Sequence, residues 1–190
     1  MGEGSETFRG LPLSDNGAND NSFLSQLAAS GLYDNEELVI QNNDQLIAGV
    51  RSYLKSSGYD MALACLDLAI EKKQGLFRYD KKTPSILHEI TQALYTISLI
   101  ESGIHLEDPE SVLALNFIHD LGEEFGLKPK GLRKYLRTKK ITDESKTYGL
   151  SIDLDLLTKQ YDGEEPKFEH EHEYYVSLQG SQNASLAKII

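Results

Sequence analysis

In the stretch "NFIHDLGEEFG", residues 116–126, four ionisable side chains follow an apolar run: His119, Asp120, Glu123 and Glu124. The pattern predicts one helix from Pro109 to Phe125. At about 100° per residue the four groups then share an arc of roughly 140°, with His119 one turn from Glu123 and Asp120 one turn from Glu124. The preceding Val112, Leu113, Leu115, Phe117 and Ile118 mark that helix as largely buried. Charges at the end of a buried helix are costly unless they are paired or bound to a metal. A divalent cation resolves the cost, since imidazole and carboxylate suit Mn, Fe and Zn. A second imidazole is available upstream, His88 in "TPSILHEI". A lone helix histidine is more often structural than a ligand. Two helices, each started by a proline and each carrying a histidine at a comparable register, favour a site.

The elements that must position these groups are helical. Thr83 reads as an N-cap with Pro84 at the first helical position, which places His88 one turn into its helix. Ile86, Ile90, Leu94 and Ile97 form the inner face of that helix. Asp108 and Pro109 repeat the start signal, and Gly126 ends the next helix. Upstream, "YDMALACLDLAIEKKQG" carries Leu63, Leu66, Ala69 and Ile70 on one face and stops near Gly75. A basic helix, "LKPKGLRKYLRTKK", follows Gly126, and an acidic polar stretch runs from Thr142 to Glu173. No segment shows sustained strand alternation, so the fold class is all-α. Residues 1–21 are rich in Gly, Ser, Asn and Asp and are expected to be a disordered tail. Residues 22–58 read as a helical arm, either separate or covering part of the core, terminated by Ser56, Ser57 and Gly58. Residues 59–190 form the main domain.

Composition narrows the function classes. A net charge of −11 argues against general binding to nucleic acid or to anionic membranes. The basic helix leaves room for a small anionic ligand: it is either a solvated face or an anion-facing rim. The N-terminus has no apolar signal core, and no apolar stretch spans a bilayer, so a cytoplasmic protein is expected. The single cysteine, Cys65, lies in an apolar run and reads as a small buried hydrophobe. His170 and His172 in "FEHEHEYY" fall about 200° apart on a helix and cannot share an ion there. His105 lies in a loop and receives no role. Neither a phosphate-cradling glycine motif nor a serine or cysteine nucleophile site is present.

The ordered set Arg78, Thr83-Pro84, His88, Asp108-Pro109, His119-Asp120 and Glu123-Glu124 resembles the HD-domain superfamily. More narrowly, it is similar to the RelA/SpoT-type hydrolases of guanosine tetraphosphate, over residues 60 onward. The resemblance implies an HD-domain helical bundle holding one metal, typically Mn²⁺, through two histidines and two aspartates. It makes His88, His119 and Asp120 metal ligands and matches Glu123 and Glu124 to the acidic pair that activates water. Arg78 matches the arginine that packs on guanine, and Lys81 and Lys82 lie where a loop could meet phosphate. Two positions depart from the family pattern. Its acidic pair is usually Glu-Asp, and it often has a basic residue where Tyr79 stands. Its second aspartate ligand opens an Asp-Arg-x-x-Asn motif after a helix that begins much like "NASLAKII". Asn183 and Ser185 could start such a helix, and the sequence stops at Ile190 in an apolar run. The expectation is therefore a fragment lacking that aspartate, with Ile190 pointing toward the gap between His88 and Asp120. The implied activity is metal-dependent removal of the 3′-pyrophosphate from guanosine tetra- or pentaphosphate. The alternatives are hydrolysis of another nucleotide and a catalytically silent binding module.

Overall fold

The computed structural model describes residues 36–189 together with Phe23 and Ser25. The expected tail at 1–21, most of the first arm helix and the placement of Ile190 lie outside the described residues. Among the described residues from Glu36 onward, ten helices follow one another: α1 (Glu36–Gln41), α2 (Asn43–Ser56), α3 (Asp60–Lys73), α4 (Leu87–Glu101), α5 (Pro109–Ile118), α6 (Leu121–Phe125), α7 (Pro129–Thr138), α8 (Glu144–Leu157), α9 (Glu171–Leu178) and α10 (Gln182–Ile189). The described residues contain no strand, only an isolated antiparallel bridge between Phe77 and Pro84, and the fold is all-α as expected. No helix among them is long and apolar enough to cross a membrane.

Helix α5 is the axis of the molecule. Every residue from Glu110 to Ile118 is buried, because α3, α4, α8 and α10 pack around it. Its start follows the sequence signal closely. The Asp108 side chain accepts from the Ser111 N–H at 3.1 Å and from the Ser111 hydroxyl at 2.6 Å, and Pro109 occupies the first turn. Removing this cap should matter: Asp108→Ala is expected to cost about 0.5–2 kcal/mol of stability, read from denaturant unfolding. Helix α2 covers part of the core, one of the two arrangements its sequence leaves open. Leu46, Val50 and Leu54 are buried against α3 and α4, and Gly58 (φ 71°) turns the chain into α3.

Three expectations about local structure are corrected. Thr83 does not cap a helix beginning at Pro84. Asp80 captures the Thr83 hydroxyl and accepts from the backbone N–H groups of Lys82 and Thr83. The Arg78 N–H donates to the Thr83 carbonyl and the Ser85 N–H to the Leu76 carbonyl, so residues 76–85 form a tight hairpin-like loop. Helix α4 therefore starts at Leu87, and His88 is its second residue rather than one turn in. The second correction is that the predicted helix from Pro109 to Phe125 divides at His119 and Asp120 into α5 and α6. Third, the acidic stretch from Thr142 contains α8, whose Leu150, Leu154 and Leu157 are buried; its many charges obscure a helical spacing of leucines.

Candidate metal centre

Two elements bring the predicted ligands together. The first turn of α4 carries His88, and the junction between α5 and α6 carries His119 and Asp120. One ligand atom from each residue lies within 4.8 Å of the others. His88 Nε2 is 3.7 Å from Asp120 Oδ2, and His119 Nε2 is 3.0 Å from Asp120 Oδ1. The two imidazole rings stand 5.3 Å apart at 54°. His119 and Asp120 both keep right-handed helical backbone angles across the junction of α5 and α6.

His119 is buried and oriented. Its Nδ1 is 3.1 Å from the Asn116 carbonyl oxygen, which makes Nδ1 the donor and turns Nε2 toward Asp120. Such a partner on the far ring nitrogen is the usual arrangement for a metal-ligating histidine. Asn116 is in turn fixed, its Nδ2 donating to Thr96 Oγ1 at 2.6 Å and to the Gln92 carbonyl at 3.3 Å. Burial works against charge on His119, but the hydrogen bond and charge of Asp120 outweigh it and raise its pKa. Burial, followed by the neighbouring His119 charge, pushes His88 down to about 4, against the pull of Asp120. At neutral pH the His88 ring is thus a neutral donor. Burial also opposes charge on Asp120, and the two histidines and Lys73 overcome it, holding the carboxyl well below its usual range.

The structure adds two residues that the motif reading missed. Lys73, the last residue of α3, is buried, and its ammonium bonds the fully buried Glu89. It also lies 2.9 Å from Glu124 Oε2 and 4.0 Å from Asp120 Oδ2. Burial disfavours its charge, and the two glutamates more than restore it. Burial also pushes the Glu89 carboxyl up while Lys73 pulls it back. A signal existed for both. Lys73 falls on the Leu66 and Ala69 face of α3, and Glu89 lies one turn before Ala93. A charge at an apolar register position marks a buried partner.

The remaining predicted residues are placed as follows. Glu124 joins the cluster through Lys73. Glu123 Oε1 accepts from the Lys159 N–H at 2.8 Å, which ties α6 to the segment after α8. Arg78 is exposed on the hairpin-like loop, close enough that its charge helps lower His88. Lys81 and Lys82 are exposed at the turn of that loop, where Lys81 adopts φ 59°. The basic helix α7 directs several cations to its neighbours: Arg137 pairs with Glu144 at 3.2 Å, Arg133 donates to Ser151 Oγ at 3.1 Å, and Lys128 pairs with Glu164. His170 is not opposite His172 as a helical spacing requires. It is the N-cap residue of α9 in extended backbone, and the two exposed rings stack 5.7 Å apart.

The donor set fits a divalent ion on two grounds. Two imidazoles and one carboxylate are ligands for Mn, Fe or Zn. Asp120, Glu89 and Glu124 set three carboxylates against the one Lys73 ammonium, leaving an excess that one divalent cation would balance. The second oxygen of Glu89, Oε2, is buried without a hydrogen-bond partner among the described residues. Comparison with models of known protein families, with curated proteins and with solved structures found no match.

Proposed function

We propose that the chain is a metal-dependent phosphohydrolase of HD type that removes pyrophosphate from the 3′ position of guanosine tetra- or pentaphosphate. The observation that carries this reading is the convergence of His88, His119 and Asp120 within 4.8 Å, from two separate elements, with Glu124 tied to Asp120 through Lys73. These three residues would hold Mn²⁺ or a similar ion. Bound there, the ion supplies Lewis acidity toward a phosphoryl oxygen and toward water. The chain's own groups do the rest. Glu124 is tied to the cluster through Lys73, and it accepts the proton of the attacking water. Glu123, fixed by the Lys159 N–H, orients that water from the same turn of helix. Arg78 stacks on the base, with Lys81 and Lys82 near phosphate. Water adds to phosphorus, the bond to the 3′ oxygen breaks, and that oxygen takes up the proton that Glu124 removed from the water.

The test is pyrophosphate release from guanosine tetraphosphate by metal-stripped protein, with and without Mn²⁺, beside a panel of other nucleotides. Activity confined to a different nucleotide would transfer the site to another substrate, a possibility to which the fully exposed Tyr79 gives weight, since the resembled family often has a basic residue there. Absence of turnover on every nucleotide, with Mn²⁺ bound, would favour the binding module. A second expectation concerns Arg78. Arg78→Ala should raise KM by roughly tenfold and leave bound Mn²⁺ unchanged, the signature of lost uniform binding. Equal loss of metal would make Arg78 structural.

A further inference from the structure

We propose that Lys73 is the positioning residue of this centre, an internal cation that holds the Glu124 carboxylate against the cluster. The assignment rests on the hydrolase reading of the site. Lys73 joins three helices through one ammonium group. Glu89 on α4 bonds it directly, Glu124 on α6 lies 2.9 Å away, and Asp120 stands 4.0 Å away at the start of α6. The Lys73 and Glu89 side chains are 1% and 0% exposed, whereas Glu124 is 43% exposed. An unheld glutamate at that exposure keeps most of its rotamer freedom. The ammonium restricts that freedom at the carboxylate assigned to take the proton of the water.

The clamp also couples to the ligands. Glu89 follows His88 directly in α4, so the group that anchors Lys73 shares a helical turn with a proposed metal ligand. The cation sits at the C-terminal end of α3, where the helix dipole favours positive charge. Stability alone does not account for the pair. A buried ion pair is often no more stabilising than apolar residues of the same size, because desolvation offsets the attraction. What an apolar pair cannot do is hold Glu124.

The experiment replaces the pair with Lys73→Met/Glu89→Met in the full chain. The double variant should fold, bind Mn²⁺ and keep KM within about threefold, and lose about 10- to 100-fold in kcat on guanosine tetraphosphate, as for an ångström-scale misplacement of a reacting group. If the methionine pair does not fold, Lys73→Gln/Glu89→Gln takes its place, since it keeps a buried hydrogen bond while falling short of Glu124. Wild-type kcat in a folded variant lacking the ammonium would overturn the assignment and leave the hydrolase reading intact. A loss shared equally by kcat and Mn²⁺ affinity would also overturn it, making Lys73 part of the scaffold. A wild-type chain that binds Mn²⁺ and hydrolyses nothing would overturn the hydrolase reading, and the assignment with it.

Discussion

Wild-type protein should gain several degrees of melting temperature on adding Mn²⁺, and His119→Ala should gain none. A ligand present at 100 times its Kd stabilises the native state by about 2.7 kcal/mol, and each kcal/mol moves the melting point of a domain this size by about 2–4 °C. His119 contributes one of the three ligand atoms in the described cluster and is the most buried of them. Its loss should cost more than the ~10–100-fold in metal affinity that follows loss of a group hydrogen-bonded to a ligand. Hydrolysis should fall with it. The metal-free melting point should fall only modestly, because Asp120, the partner left behind, is 31% exposed and is rehydrated. His88→Ala should behave alike, from a different helix. A Mn²⁺-dependent melting shift that survives in either variant would remove that histidine from the ligand set.

The parts of the site legible in sequence were those with short-range signals. Asp108-Pro109 announces α5 because both the cap and the fixed φ act within one turn. His119 and Asp120 stand out because charge follows a run that is apolar except for Asn116. The hairpin-like loop at 76–85 was misread for a related reason. Thr83-Pro84 is a good helix start locally, but Asp80 competes for the same hydroxyl three residues away and wins it. The break between α5 and α6 has no sequence marker, since neither Gly nor Pro lies at 119 or 120. Lys73 and Glu89 are 16 residues apart, and their bond exists only once α3 and α4 have packed. No motif encodes such a contact. The periodicity of each helix shows only that a charge has been put where a hydrophobe belongs.

Gly122→Ala should be damaging out of proportion to the one methyl group it adds. On helix propensity alone it would stabilise, since alanine is better than glycine inside a helix by about 1 kcal/mol. Packing reverses the sign. A Cβ at residue 122 would lie 2.2 Å from Thr158 Oγ1, 2.8 Å from its Cγ2 and 3.1 Å from its Cβ. Thr158 cannot easily yield. It is fully buried, β-branched, and its hydroxyl donates to the Leu154 carbonyl at 2.8 Å. The clash must therefore move α6, and overpacking of this kind costs about 1–3 kcal/mol. The movement falls on the site. Gly122 lies between Asp120 and the Glu123-Glu124 pair, and the Lys159 N–H that fixes Glu123 follows Thr158 directly. Mn²⁺ affinity and turnover should thus fall together with stability. Thr158→Ala removes the two closest atoms of the clash, so Gly122→Ala/Thr158→Ala should recover most of the melting temperature and Mn²⁺ binding lost by Gly122→Ala. Denaturant unfolding and Mn²⁺ titration of the three variants form a closed cycle. Strict additivity of the two substitutions would mean that α6 and Thr158 do not meet at this seam, whereas a coupling of about 1 kcal/mol or more is what direct contact requires.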